Sequence, residues 1–152
     1  MRAEIANGRD TFAYGTTTSP ASLAVLADFL ALCKERGIVV IGFLPPYAPG
    51  LYDEVGSVDD AYAHERDNLG GDVRTIFDQY DFLFFDFSHA AAHGIAETEF
   101  IDPTHGSDKA YARILLDMAT HDSVLTRYVS ISRLRDMIAA SPSDFINVPA
   151  DE

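Results

Sequence analysis

The chain has 152 residues and a mass of 16.6 kDa, a size typical of a single domain with its own hydrophobic core. Its 11 basic and 24 acidic residues give a net charge of −13, which disfavours nucleic acid and anionic membranes as partners. No apolar run approaches the roughly 20 residues that a membrane helix needs, and the amino terminus has no apolar signal-peptide core. The single cysteine, Cys33, excludes an internal disulfide and a cysteine-based zinc site.

The first half of the chain predicts a helix followed by a strand. The first 15 residues show no clear period and are expected to be irregular. Thr18 or Ser19 before a proline is typical of a helix start and Gly37 of a helix end, so we expect a helix over Pro20–Arg36. The apolar run Ile38–Leu44 is typical of a strand that is buried on both faces of a parallel sheet.

The middle of the chain predicts a loop, two helical segments and a second strand. The prolines and glycines of residues 45–57 favour a long loop. A polar helix is expected over Val58–Asn68, ended by the glycine pair at positions 70 and 71, and a short helix over Val73–Tyr80. Phe82–Phe87 is again almost wholly apolar and predicts the second buried strand.

The last third predicts a polar loop and two helices. Ser88–Gly106 is expected to be a loop, and Ser107 or Asp108 is expected to start a helix that runs to about Thr120. A further helix is expected over Ile131–Ala140, and residues 141–152 are expected to form a tail. The alternation of helices and strands predicts an α/β domain with a parallel sheet. Two strands make a thin sheet, so we expect either self-association or a missing amino-terminal half.

The sequence Phe100-Ile101-Asp102-Pro103-Thr104-His105-Gly106 carries the strongest chemical signal. Asp102 and His105 are three residues apart and can fold back so that the carboxylate meets the imidazole Nδ1 atom. Such a bond fixes the tautomer and leaves Nε2 as a base for a hydroxyl nucleophile. The same spacing also fits a capped turn with an exposed histidine, so a structural role remains open.

Three segments, LCKERGIVVIGFLPPYAP, DFLFFDFSHA and FIDPTHGSDKAYARILLDMA, resemble the C-terminal part of the SGNH (GDSL-like) hydrolase superfamily. The resemblance spans roughly residues 18–120 and is nearest to the branch that modifies cell-surface polysaccharides. It implies a three-layer α/β/α flavodoxin-like parallel sheet, here an incomplete C-terminal portion. It also implies Asp102 and His105 as the acid and base of a catalytic triad, a carbohydrate O-acyl ester as substrate, no cofactor, and a location that includes the bacterial periplasm or cell envelope.

The chain departs from this family in its nucleophile and oxyanion-hole blocks. No Gly-Asp-Ser-type motif and no Gly-x-Asn-Asp-type block occur in the sequence. We therefore expect an ester hydrolase or acyltransferase domain that lacks its nucleophile and is inactive as this chain alone. Neither Ser88 nor Ser107 replaces that nucleophile. Ser88 lacks the flanking glycines of a nucleophile elbow, and Ser107 is better placed to cap a helix.

Other interpretations of the sequence remain open. His89 and His93 have the spacing of two metal ligands on one helical face, although no glutamate follows the first histidine. Pro46 and Tyr47, in the loop after the first strand, are candidate substrate contacts. A degenerate, non-catalytic domain that binds a glycan or a protein is the alternative to an enzyme.

Overall fold

The computed structural model describes residues 18–58, 60–121 and 124–141; the side chains of residues 58 and 60–69 are not described. The α-helices and strands, in chain order, are α1 (Pro20–Glu35), β1 (Ile41–Leu44), α2 (Pro49–Val58), α3 (Asp60–Gln79), β2 (Leu83–Asp86), β3 (Phe100–Asp102), β4 (His105–Gly106), α4 (Asp108–His121) and α5 (Ile131–Ala140). Short 3₁₀ helices cover Ala90–His93, Glu97–Glu99 and Leu125–Arg127. None of the helices in the described residues is long and apolar enough to cross a membrane.

The described residues divide into two compact units. The first contains residues 18–44 and 53–86, and the second contains residues 45–52 and 87–141. Strands β1 and β2 belong to the first unit, and the β3–β4 hairpin, α4 and α5 belong to the second. The molecule is mixed α/β. The predicted irregular start, residues 1–15, and most of the predicted tail lie outside the described residues.

A two-stranded parallel sheet forms the centre of the first unit. Ile41 pairs with Leu83, and the register continues to Leu44 with Asp86, which confirms the predicted parallel pairing. The predicted strand over residues 38–44 is too long, because Ile38 takes part in the turn that closes α1 and the strand begins only at Ile41. The Ile38 N–H donates to the Cys33 carbonyl at 2.9 Å, and Gly37 takes the left-handed conformation (φ 68°) that closes this type of helix end.

One face of the sheet packs against α3. Phe77 of α3 lies so close to Gly42 that a Cβ atom there would be 2.5 Å from the Phe77 ring, and Phe84 is in the same cluster. The core adds Leu30 and Cys33 from α1. Side chains on the other face of the two strands are more exposed than Phe84: Phe43 and Leu83 are each 38% exposed. The prediction that both strands are buried on both faces is therefore wrong.

The structure is helical at two places where the sequence predicted otherwise: in the predicted loop over residues 45–57, and at the glycine pair 70 and 71, where a helix was predicted to end. All of helix α2 except its last residue lies within the predicted loop over residues 45–57. Its first residue is Pro49, which tolerates the first helical position because its missing N–H has no helical partner. Helix α3 continues through Gly70 and Gly71. A Cβ atom on Gly70 would lie 3.2 Å from the Asp86 carboxylate and 3.4 Å from Leu44. This glycine permits close packing on the strand ends instead of ending the helix.

The second unit contains a hairpin inside the predicted loop over residues 88–106. Strands β3 and β4 are antiparallel, with Phe100 opposite Gly106 and Asp102 opposite His105. The helices that follow agree with the prediction: α4 covers Asp108–His121, and α5 covers Ile131–Ala140. Ser130 caps α5, because its hydroxyl accepts the Arg133 N–H at 3.3 Å.

Candidate functional site

The turn between β3 and β4 is organised by the carboxylate of Asp102. Its Oδ1 atom accepts the backbone N–H of Thr104 at 2.8 Å and that of His105 at 3.0 Å. The Thr104 hydroxyl donates to the same oxygen at 2.9 Å. An aspartate that accepts the N–H two residues later is a side-chain mimic of a backbone turn, and Pro103 suits the position between them. The segment Asp-Pro-Thr-His therefore folds locally, from its own side chains.

The same turn brings the imidazole of His105 onto the carboxylate. The Nδ1 atom of His105 lies 2.8 Å from Oδ2 and 2.9 Å from Oδ1 of Asp102. The Thr104 hydroxyl oxygen is 3.2 Å from the same nitrogen. The hydrogen bond that the sequence predicted for this pair is present.

The ionised state of Asp102 determines which ring nitrogen of His105 carries the hydrogen. The pKa of Asp102 is lowered from 3.8 to about 2, mainly by the hydrogen bond from the Thr104 N–H. Hydrogen bonds from the His105 and Thr104 side chains lower this pKa further, whereas desolvation raises it. Asp102 is thus ionised at neutral pH and can only accept hydrogen bonds. The Nδ1 atom of His105 must then carry the hydrogen, and in the neutral ring Nε2 keeps its lone pair.

The His105 side chain is largely open to solvent. The side chain of His105 is 72% exposed and that of Asp102 is 48% exposed. Every hydrogen bond of the His105 ring within the described part of the chain is made by Nδ1. A held Nδ1 and an accessible Nε2 are the two properties that a general base requires.

The segments that follow β1 and β2 in the chain are hydrogen-bonded to one another and to this turn. The Ala48 N–H donates to the Pro103 carbonyl at 2.9 Å, and the Tyr47 N–H donates to the Ser88 carbonyl at 3.1 Å. Glu97 accepts the Gly50 N–H at 2.7 Å, which satisfies a donor in the first turn of α2. The backbone around Asp102 and His105 is therefore fixed by contacts within the second unit.

The two predicted substrate contacts differ in accessibility. Pro46 is fully buried, so its ring offers no surface to a sugar. Tyr47 is half-buried, and its backbone forms an isolated bridge with His89. Tyr52 stacks on the His89 ring with centroids 4.3 Å apart. Contact of Tyr47 with a substrate stays a prediction.

The two histidines of the metal alternative are engaged separately. His89 stacks on Tyr52, whereas the Nδ1 atom of His93 lies 2.8 Å from the Asp117 carboxylate and its ring meets the edge of Phe87. His89 precedes the 3₁₀ helix Ala90–His93 and His93 is its last residue; positions four apart do not share a face of such a helix, because three residues complete a turn. Among the described residues, no group of three or more His, Cys, Asp or Glu side chains is arranged to hold a metal ion.

Both serines that the sequence raised as substitute nucleophiles are buried. Ser88 is 6% exposed and Ser107 is 0% exposed. The Ser107 hydroxyl accepts the Ala110 N–H at 3.4 Å at the start of α4, so its predicted capping role is confirmed. The Ser107 N–H donates to the Glu99 carbonyl at 2.8 Å, which ties the helix start to the hairpin.

An ion pair beneath the hairpin was not predicted from the sequence. The Arg113 guanidinium donates to both carboxylate oxygens of Glu99, at 2.8–3.0 Å, and the Glu99 side chain is only 3% exposed. The pair joins α4 to the residue just before β3. The partners are 14 positions apart in the sequence, so no local sequence pattern predicts the contact.

Three comparisons with known proteins found no match. The chain matches no protein-family model, and neither curated proteins nor solved structures gave a match. The chemistry of the turn at Asp102 and His105 is therefore the basis on which a function is assigned.

Proposed function

We propose that this chain is the acid–base part of an SGNH-like ester hydrolase or O-acyltransferase that acts on O-acyl esters of carbohydrates. The single observation that supports the proposal most is the hydrogen bond from His105 Nδ1 to the ionised Asp102, in a histidine whose side chain is 72% exposed. The resemblance of the Asp-Pro-Thr-His block to the SGNH superfamily supplies the reaction class. A three-layer flavodoxin-like arrangement belongs to the same proposal.

In this reaction His105 moves one proton in each direction. Its Nε2 atom takes the proton of an attacking hydroxyl as that oxygen bonds to the acyl carbon, and the ring becomes an imidazolium. Asp102 stabilises the imidazolium through the Nδ1 hydrogen bond. The proton then passes to the sugar oxygen as the ester bond breaks. The serine and the oxyanion hole come from polypeptide that these 152 residues do not include.

A second candidate function is favoured by a specific observation. One oxygen of Asp102 accepts both the Thr104 N–H and the His105 N–H, so the carboxylate holds the turn whether or not His105 acts as a base. On this alternative the hairpin is a structural feature of a non-catalytic domain that binds a glycan or a protein. The two candidates differ in what the Asp102→Asn substitution does.

Asp102→Asn separates the turn-forming role from the acid–base role, because asparagine keeps one side-chain oxygen and has an NH₂ group in place of the other. The amide oxygen of Asp102→Asn still accepts the turn N–H groups, whereas the amide NH₂ now faces His105 Nδ1 and cannot accept its hydrogen. The turn is kept and the wrong tautomer is favoured. Asp102→Ala removes both roles and identifies the structural contribution of the carboxylate.

The test is acyl transfer from p-nitrophenyl acetate to water and to an added sugar alcohol, measured with the 152-residue chain. The sequence has no Gly-x-Asn-Asp-type block to supply an oxyanion hole, so we expect a rate increase well below the roughly 10²–10⁴-fold of a complete general-base site. His105→Ala and Asp102→Asn should both remove it, and the wild-type reaction should be slower in D₂O, because a proton moves in the rate-limiting step.

His121→Ala is the matched control. His121 is also an exposed histidine on an aspartate: its side chain is 68% exposed, and its Nδ1 lies 3.0 Å from the Asp117 carboxylate. Loss of rate in His121→Ala equal to that in His105→Ala would show unspecific imidazole reactivity and contradict the proposal. A wild-type rate no higher than that of His105→Ala would favour the structural role. The coding sequence upstream of Met1 adds a second check, since an in-frame Gly-Asp-Ser-type motif there is expected only for the enzyme.

A further inference from the structure

His89 is held in place differently from the other histidines whose side chains the structure describes. His93, His105 and His121 each direct Nδ1 at an aspartate carboxylate, at distances of 2.8–3.0 Å. The His89 ring instead stacks on the ring of Tyr52, with centroids 4.3 Å apart and planes 10° apart. Within the described part of the chain, neither ring nitrogen of His89 makes a hydrogen bond. One face of the ring therefore fixes this side chain.

The stack leaves the rest of the His89 ring available to a ligand. His89 is exposed although the half-buried Tyr52 covers one face of its ring. Among the described residues, no second ring contacts the opposite face. An aromatic face packs against apolar C–H groups, and the two imidazole nitrogens can donate and accept hydrogen bonds. A sugar ring offers both partners, because C–H groups line its faces and hydroxyl groups line its edge.

Backbone hydrogen bonds connect His89 to the turn Asp102–His105 within the second unit. Tyr47 forms a parallel bridge with His89, and the next residue, Ala48, donates its N–H to the Pro103 carbonyl at 2.9 Å. Two hydrogen-bonded steps of about 5 Å and one peptide step of about 3.8 Å place the Cα atoms of His89 and Pro103 no more than about 14 Å apart. A short oligosaccharide spans this distance.

We propose that His89 is a sugar-binding contact, on which one ring of a neutral O-acetylated oligosaccharide stacks while the ester group lies at His105. The proposal rests on the acid–base function proposed above, since it names a residue that positions the same substrate. Because Tyr52 already holds the imidazole, sugar binding costs little side-chain entropy. A neutral sugar is also not repelled by a chain of net charge −13.

The test is an NMR titration of the full chain with O-acetylated cellotriose, followed through the C–H signals of the histidine rings. We expect the His89 signals to shift progressively and the His121 signals to stay in place. Glycerol is the control ligand, because it has hydroxyl groups but no sugar ring, and it should leave His89 unchanged. His89 signals that do not move with the oligosaccharide, or that move equally with glycerol, would overturn the inference.

Substitutions of His89 measure its share of the affinity. His89→Ala removes the ring and should raise the Kd of the oligosaccharide about three- to tenfold, the loss of one aromatic contact. His89→Phe keeps a ring that can stack on Tyr52 but lacks both nitrogens, so its Kd should lie between those of wild type and His89→Ala. His121→Ala is the matched control and should bind like the wild type. Equal losses in His89→Ala and His121→Ala would contradict the proposal.

Circular dichroism checks that each variant is folded. If His89→Ala does not fold, the wild-type titration and the Kd of His89→Phe still decide the question. A folded His89→Ala that binds the oligosaccharide as tightly as the wild type would overturn the inference.

Failure of this inference can be distinguished from failure of the acid–base function. His105→Ala removes the base, so its rate with p-nitrophenyl acetate should fall while most of the oligosaccharide affinity is kept. His89→Ala should show the reverse pattern, because p-nitrophenyl acetate carries no sugar. If His105→Ala keeps its rate while His89→Ala loses affinity, the acid–base function alone is contradicted. If His105→Ala loses its rate while His89→Ala keeps its affinity, the sugar contact alone is contradicted.

Discussion

His105 Nδ1 lies 2.8 Å from Oδ2 and 2.9 Å from Oδ1 of Asp102, three residues earlier in the chain. The carboxylate that holds the imidazole also accepts the backbone N–H groups of Thr104 and His105. One side chain thus shapes the turn and orients the ring on it. The proximity of acid and base is built into the local sequence, and the hydrogen bond from the Ala48 N–H to the Pro103 carbonyl holds the same turn against the segment after β1.

The first prediction concerns the acidity of Asp102. Its carboxyl group should titrate with a pKa of about 2, because the Thr104 N–H stabilises the ionised form most strongly. Since the folded-state pKa lies below the usual value of about 4, the stability contributed by the ionised group is fully present above about pH 4 and is lost as the pH falls through about 2. Carboxyl ¹³C NMR of Asp102 measures the midpoint directly.

Thr104→Val refines this prediction. Valine removes the hydroxyl donor and keeps the backbone N–H, so the pKa of Asp102 should rise only part of the way to its usual value. A wild-type midpoint near 4 would mean that the turn does not hold the carboxylate as described.

The second prediction concerns the Glu99–Arg113 ion pair. Arg113→Ala leaves the Glu99 carboxylate buried without its bidentate partner and should lower the free energy of unfolding by about 3 kcal/mol. The Lys34–Asp81 pair is the comparison, because its side chains are 50% and 87% exposed. Asp81→Asn should cost less than about 1 kcal/mol. Urea unfolding curves of the two variants decide the point; equal losses would show that burial of Glu99 does not matter.

The third prediction concerns the close packing of α3 on the sheet. An added Cβ atom at Gly42 would meet Phe77 at 2.5 Å and Phe84 at 3.0 Å, so Gly42→Ala should destabilise the fold by about 1–3 kcal/mol. Gly56→Ala in α2 is the control, because nothing lies within 4 Å of its added methyl group. That variant should stabilise the chain by about 0.5–1 kcal/mol. Thermal unfolding of both variants checks the contrast, and a neutral Gly42→Ala would contradict the packing described.

Local signals in the sequence predicted the elements that depend on local physics. The Ser19 cap, the Gly37 stop, the parallel pairing of the two apolar runs, α5 and the Asp102–His105 contact were all anticipated, because each rests on neighbouring residues or on a continuous apolar pattern.

Contacts between distant residues account for what the sequence did not predict. Gly70 looked like a helix breaker, yet it serves the approach of α3 to Leu44 and Asp86. The first turn of α2 is capped by Glu97, which lies 47 positions after Gly50. The Glu99–Arg113 pair spans 14 positions. Propensity and periodicity describe neither the partner nor the space available, so these features become visible only in the folded chain.

The tautomer of His105 tests the central claim most directly. Two-dimensional ¹⁵N NMR of the imidazole rings at a pH where they are neutral distinguishes Nδ1–H from Nε2–H. We predict Nδ1–H for His105 in the wild type and Nε2–H in Asp102→Asn, with the His121 signals unchanged and the fold intact. If His105 shows the same tautomer in both proteins, Asp102 does not orient the ring, and the acid–base account of this site is contradicted.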